Sequence, residues 1–195
     1  MIVIPTIFEK EFERAFERME KVGEHSMWMQ IDVVDGKFTS GKTFDLEQLA
    51  SKEIVNKDWL FDVHLMVDDP EKWINKAIMA GASRITGQVE KMTSVEKFVE
   101  KVREYRIEVG LGFDIETPAE KIPEGTDLIL LMAREAGFEP KEIDERVWEK
   151  IEMAKKWEIK IGVDGGIKKE HIAKLEEAGV GVAYVGKEYL NIVNE

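Results

Sequence analysis

The chain has 195 residues, of which 44% are hydrophobic and 35% are charged, and we expect residues 1–195 to form one domain around one sizeable core. Its net charge of −12 disfavours nucleic acid and anionic membranes as partners, because both are negatively charged. The sequence has no cysteine, no signal-peptide pattern and no apolar run near the roughly 20 residues of a membrane span, so we expect a soluble cytoplasmic protein without disulfides or thiolate metal sites.

Short apolar runs recur from one end of the chain to the other and predict eight β-strands. Several runs are apolar at consecutive positions, a pattern typical of strands that are covered on both faces. The clearest is Leu128-Ile-Leu-Leu-Met132, and the least regular is residues 84–86. The predicted strands are residues 2–4, 28–33, 60–65, 84–86, 107–111, 128–132, 158–163 and 182–185.

Amphipathic segments lie between these runs and predict helices. In the first of them, Phe12, Phe16 and Met19 recur at spacings of three and four and mark one apolar face. The predicted helices are residues 10–22, 70–80, 93–105, 142–157 and 168–178. Two further segments are short, because residues 116–121 supply little more than one helical turn and only residues 187–195 remain for a last helix.

The alternation of strands and helices predicts a small (β/α)8 barrel, the TIM-barrel fold. Eight strand–helix units repeat at roughly 20 to 30 residues, which is the scale of one βα unit. The chain is short for this fold, since about 250 residues is typical. An open doubly wound sheet is the alternative, and it would be favoured if a weak strand such as residues 84–86 failed to form.

Three polar residues at the carboxyl ends of predicted strands are the candidates for chemistry. In a TIM barrel the active site lies at those ends, and Asp32, His64 and Asp164 all fall there. Each residue alone has an ordinary explanation, since an aspartate often caps a helix and a histidine is often hydrogen-bonded in a core. Together, two carboxylates and an imidazole can share one metal ion or move a proton across a substrate carbon. This combination predicts an isomerase or epimerase.

A set of short motifs runs along nearly the whole chain. The two most specific are Ile31-Asp-Val-Val-Asp-Gly-Lys-Phe38 and Asp62-Val-His-Leu-Met66. Because of these motifs, the chain resembles the ribulose-phosphate 3-epimerase family. The other matching segments are Pro5-Thr-Ile7, Ala80-Gly-Ala82, Gly137-Phe138, Val163-Asp-Gly-Gly-Ile167 and Val185-Gly186.

The resemblance implies a metal-dependent reaction at C3 of a pentulose 5-phosphate. In that family, one divalent ion is bound by two histidines and two aspartates, and the aspartates exchange the C3 proton. The resemblance gives Asp32 and Asp164 both roles and makes His64 a metal ligand. It implies conversion of D-ribulose 5-phosphate to D-xylulose 5-phosphate with zinc, iron, manganese or cobalt as cofactor.

The resemblance also implies a set of contacts with the sugar phosphate, and it implies a homo-oligomer. Methionines cap the site in the family, and Met66 and Met132 match those positions, whereas Met29 does not clearly match. The residues expected to bind the substrate are Thr6, Met66, Gly137, Phe138, Gly165, Gly166, Gly186 and Lys187.

The sequence departs from the family at several of these positions. Gln30 stands where the family has its other metal-binding histidine, and a Gln oxygen is a weaker ligand than imidazole for zinc or iron. Glu139 and Pro140 replace two glycines of the phosphate loop, and Lys187 replaces a serine. These departures leave two alternatives open. One is the same scaffold acting on a different ketose or ketose phosphate, and the other is a non-catalytic phosphosugar-binding or interaction protein.

Overall fold

The structure is a computed structural model that describes residues 1–137 and 142–194, and a closed β-barrel forms its centre. The strands are parallel and follow one another in chain order, and the first pairs with the last. The predicted TIM barrel is therefore confirmed, and the open sheet is excluded. The strands are β1 Ile2–Ile7, β2 Trp28–Val34, β3 Leu60–Met66, β4 Ala82–Gln88, β5 Glu108–Phe113, β6 Leu128–Met132, β7 Lys160–Asp164 and β8 Val182–Val185.

The strand register brings the candidate residues together. On β2 and β3, Gln30 lies opposite Asp62, and Asp32 lies opposite His64. Asp164 ends β7, which is separated from β2 by β1 and β8. Because side chains alternate along a strand, residues two apart point to the same face, so Gln30 and Asp32 share the interior.

The helices surround the barrel and bury one face each. In α4, for example, Phe98, Val99 and Val102 are buried, as the spacing of apolar residues predicts. Within the described residues, none of the helices has the length and apolar character to cross a bilayer. The helices are α1 Phe12–Gly23, α2 Lys52–Val55, α3 Ile74–Met79, α4 Val95–Arg103, α5 Arg146–Ala154, α6 Lys169–Glu177 and α7 Tyr189–Val193.

Three connections in the structure differ from the sequence prediction, which assigned no helix between β2 and β3. The segment after β2 contains a 3₁₀ helix at Leu46–Ala50 and then α2, which are too short to show a helical period in the sequence. The predicted helix 70–80 is divided into a 3₁₀ turn at Pro70–Lys72 and α3. Residues 116–121 form no helix, in keeping with the prolines at positions 118 and 123.

Lys150 on α5 holds the chain where that helix is missing. Its ammonium group donates to the carbonyl of Asp114 and lies 3.5 Å from the carbonyl oxygen of Phe113. Burial lowers the pKa of Lys150 to about 8. This side chain ties the carboxyl end of β5 to α5.

A buried polar network fills the barrel one layer nearer to the amino ends of the strands. Asp62 Oδ2 accepts hydrogen bonds from Arg84 Nε, at 2.8 Å, and from the hydroxyl of Tyr184. Asp62 Oδ1 accepts a third from the hydroxyl of Thr86 at 2.9 Å. Arg84 also donates to Tyr184 at 2.9 Å and to Glu108 at 2.6 Å. The network satisfies a buried charge pair, and it gives the polar side chains of Arg84 and Thr86 on β4 their hydrogen-bond partners.

We predict that Tyr184→Phe lowers the free energy of unfolding by about 1 to 3 kcal/mol, because it removes one partner each from buried Asp62 and Arg84. Urea unfolding monitored by circular dichroism measures this change. Tyr105→Phe is the matched control, since the Tyr105 hydroxyl bonds Asn75 at an exposed position, and we expect a change within about 0.5 kcal/mol there. Equal losses in the two variants would contradict the role of the network.

Candidate active site

A cavity of about 740 Å³ opens at the carboxyl ends of the strands. Gln30 and His64 do not line it and are fully buried. Phe138, another expected substrate contact, lies outside the described residues. The expected site residues that line the cavity are Thr6, Asp32, Met66, Gly137, Asp164, Gly165, Gly166, Gly186 and Lys187.

Two carboxylates, an imidazole and a carboxamide converge at the inner end of this cavity. Gln30 Nε2 donates to Asp32 Oδ1 at 2.9 Å and to Asp164 Oδ2 at 2.8 Å. His64 Nδ1 lies 2.9 Å from Gln30 Nε2 and 3.0 Å from Asp32 Oδ1. One ligand atom from each of Asp32, His64 and Asp164 lies within 4.8 Å of the others. The structure thus places together the residues expected to act on the substrate and the metal.

The surroundings of this cluster favour an added positive charge. Burial, together with the charge of Asp32, raises the pKa of Asp164 to about 7 against the opposing effect of His64. Burial by itself lowers the pKa of His64, but the hydrogen bond and charge of Asp32 outweigh it, so that this pKa lies above its ordinary value. Two buried carboxylates at this separation need a proton or a cation to offset their charge.

The donor set fits a divalent metal ion. His64 Nδ1 lies 3.0 Å from Asp32 Oδ1 and 3.8 Å from Asp164 Oδ2, and both spacings are compatible with ligand atoms around one cation with bonds of about 2.1 Å. His64 Nδ1 faces the cluster, whereas its buried Nε2 has no hydrogen-bond partner among the described residues. With the ring proton on Nε2, the lone pair of Nδ1 is available to a metal.

Asp35, which belongs to the motif at residues 31–38, and Met29 both have structural positions. Asp35 Oδ1 accepts hydrogen bonds from the backbone amides of Lys37 and Phe38, and its Oδ2 accepts one from Asp68. Asp35 therefore organises the loops after β2 and β3. Met29 is fully buried in the hydrophobic core, away from the residues that line the cavity, unlike Met66.

The glycine pair after β7 shapes the cavity wall. Gly165 and Gly166 both have positive φ, at 109° and 68°. A Cβ atom on Gly165 would lie 2.8 Å from Cγ of Arg134. Glycine is therefore required where this loop passes beside the arginine.

Sequence reasoning missed the arginines and two of the lysines around the cavity. Arg134 lies two residues beyond β6, so the rule that found Asp164 applies to it as well. Arg18 donates to the carbonyls of Thr6 at 3.1 Å and Gly186 at 2.7 Å, which joins the ends of β1 and β8. It lies on α1, where no strand-end pattern marks it. The basic side chains that line the cavity are Lys10, Arg14, Arg18, Arg134, Lys168 and Lys187.

Comparison with known proteins places the chain in a family. Residues 2–189 match the sequence profile of the ribulose-phosphate 3 epimerase family. The chain belongs to this family. The resemblance seen in the sequence is thereby confirmed, as is the predicted enzyme class, an isomerase of the epimerase type that acts on carbohydrates.

Individual ribulose-phosphate 3-epimerases align with most of the chain. The enzyme of that name from Synechocystis is 29% identical, and the alignment covers 100% of this chain and 89% of the relative. The one from Candida glabrata is 28% identical over 95% and 84% of the two chains. The enzyme from Aquifex aeolicus is 30% identical, and the alignment covers 81% of this chain and 75% of the relative.

Solved structures of other barrels support the fold. A mutant tryptophan synthase alpha-subunit from Pyrococcus furiosus superposes with a TM-score of 0.71 at 15% identity, covering 99% of this chain and 90% of that one. Phosphoribosyl anthranilate isomerase from Thermus thermophilus superposes with a TM-score of 0.68 at 14% identity, covering 96% of this chain and 88% of that one. At these identities the likeness concerns the fold alone.

We predict that Asp164→Asn raises the free energy of unfolding of the metal-free protein by about 0.5 to 2 kcal/mol, in the range found when a strained active site is relieved. The change removes one of two buried like charges, while the Asn oxygen still accepts from Gln30. Chemical denaturation in the presence of a chelator measures it. Asp58→Asn, at an exposed position, is the control and should have little effect. A stability loss in Asp164→Asn would contradict this account of the cluster.

Proposed function

We propose that the chain catalyses the metal-dependent epimerisation of a ketopentose phosphate at C3, converting D-ribulose 5-phosphate to D-xylulose 5-phosphate. The observation that carries the proposal is the convergence of Asp32, His64 and Asp164 within 4.8 Å at one cavity. Membership of the ribulose-phosphate 3 epimerase family supports the same reaction. The proposal gives these three residues the roles that the sequence motifs imply.

The two aspartates provide the acid and the base. Epimerisation at C3 requires removal of a proton next to the C2 carbonyl and return of a proton to the opposite face of the carbon. In this mechanism one of Asp32 and Asp164 takes the proton, and the other, in its protonated form, donates one to the resulting enediolate. Reversal of the two roles gives the reverse reaction, so neither residue is dedicated to one direction.

A divalent cation would be held by Asp32, His64 and Asp164, with Gln30 beside them. When bound, it supplies Lewis-acid stabilisation of the negative charge that develops on the C2 and C3 oxygens. Zinc, iron, manganese and cobalt are the candidates. Met66 and Met132 line the same cavity, and their apolar side chains would keep water from the carbon that exchanges its proton.

The phosphate would bind at the β7–β8 side of the cavity. Gly165, Gly166 and Gly186 allow close approach of the backbone, and Lys187 adds an ammonium group beside them. Arg134 lies against Gly165 and contributes a second positive charge on that wall. These groups give a local attraction for an anion in a chain whose net charge is −12.

We predict that Asp32→Asn and Asp164→Asn each lower the epimerisation rate by at least about 10² to 10⁴, the usual range for loss of a general acid or base. Each variant keeps one carboxylate, so each should still exchange the C3 proton of only one of the two epimers with solvent deuterium. Proton NMR of each epimer incubated separately in heavy water gives the pattern.

The two variants should retain C3 proton exchange with opposite epimers of the substrate. Asp68→Asn is the control, because Asp68 is exposed at the same end of the barrel and does not line the cavity, and it should keep the full rate. Retention of exchange with the same epimer in both variants, or an undiminished rate in either, would contradict the assignment of two opposed acid–base residues.

We predict that Lys187→Met raises KM for D-ribulose 5-phosphate about tenfold or more and changes kcat little, because the lost charge contacts a part of the substrate that does not react. Steady-state kinetics measure both constants. Lys37→Met removes an exposed lysine outside the cavity and should leave both unchanged. A fall in kcat without a rise in KM would place Lys187 away from the phosphate.

A further inference from the structure

The carboxamide of Gln30 lies at the centre of the cluster. Its nitrogen is within 2.8 to 2.9 Å of Asp32 Oδ1, His64 Nδ1 and Asp164 Oδ2. The residue is completely buried.

The protons of this amide are too few for its neighbours. An amide nitrogen carries two protons and no available lone pair, yet three acceptor atoms surround it. The two carboxylates take both protons as charge-assisted hydrogen bonds, and His64 Nδ1 receives none. In this orientation Gln30 bridges Asp32 and Asp164 and partly offsets their charges.

A bound cation favours the opposite orientation of the amide. With both aspartates ionised and the His64 ring proton on Nε2, an inward-pointing Gln30 Oε1 would face three acceptor atoms, which is unfavourable. With a divalent cation between them, the same four atoms become a set of ligands. The orientation of the amide is therefore tied to whether a cation is bound.

Thr6 can support both orientations. Its hydroxyl lies 3.4 Å from Gln30 Oε1, and it is buried on β1 directly opposite Gln30. A hydroxyl both donates and accepts, so it can donate to Oε1 or accept from Nε2 without moving.

We infer that the Gln30 carboxamide is a reversible ligand: its nitrogen bridges the two aspartates in the metal-free protein, and it rotates to present its oxygen when a cation binds. The inference rests on the cation site of the proposed function. It gives the bound cation three oxygen ligands and one nitrogen ligand. Such a set favours manganese over zinc relative to a site in which position 30 is a second imidazole.

The first test compares wild type with Gln30→His by titrating metal-free protein with Mn²⁺ and with Zn²⁺ in separate calorimetric experiments. We expect Gln30→His to increase the affinity for Zn²⁺ at least tenfold more than the affinity for Mn²⁺. Thr6→Val should lower the affinities for both ions by a similar factor, because it removes the hydroxyl that accepts a hydrogen bond from the rotated amide. Thr126→Val, whose hydroxyl bonds the Pro123 carbonyl instead, should change neither affinity.

The second test observes the amide itself. In ¹⁵N-labelled protein, the side-chain protons of Gln30, assigned by their absence in Gln30→His, should lie downfield of ordinary Gln signals and move upfield on saturation with Mg²⁺ or Zn²⁺. An unchanged Zn²⁺-to-Mn²⁺ ratio in Gln30→His, or amide signals that do not respond to saturation, would overturn the inference. If C3 exchange persists in that case, the proposed function stands; if wild type neither binds a cation nor exchanges the proton, both fail.

Discussion

The placement of two buried carboxylates at one point is the constraint on which the rest of this structure depends. Asp32 on β2 and Asp164 on β7 come from strands that are separated by β1 and β8, and they share the same cavity. Burial and the charge of Asp32 oppose the ionisation of Asp164 and raise its pKa to about 7. The donors of Gln30 reduce this cost in the metal-free protein, and a cation or a transferable proton removes it during function.

The surrounding scaffold keeps these groups in place. Asp62, Arg84 and Tyr184 form a hydrogen-bonded polar layer on the amino-terminal side of the cluster. This layer links the strands β3, β4 and β8 inside the barrel. Arg18 and Lys150 then tie strand ends to the helices outside the barrel. Preorganisation of this kind is what an acid–base site needs, because small displacements weaken proton transfer.

The sequence was sufficient to predict the barrel and most of the cavity. Buried strands such as Leu128–Met132 carry a strong local signal, and Asp32, His64 and Asp164 stand at strand ends where a barrel gathers its active site. The short helical pieces around α2 carry too few residues to show a period. The bridging contacts of Gln30 and the position of Arg18 depend on register across the barrel, which local patterns do not encode.

The most direct test of the central claim is the incubation of the wild-type enzyme with D-ribulose 5-phosphate in heavy water, with proton NMR of the product and metal analysis of the same sample. The account predicts D-xylulose 5-phosphate that carries deuterium at C3, formed by protein that holds a divalent cation. Failure to exchange the C3 proton after loading with zinc, iron, manganese or cobalt would contradict it and favour a different ketose substrate or a non-catalytic role.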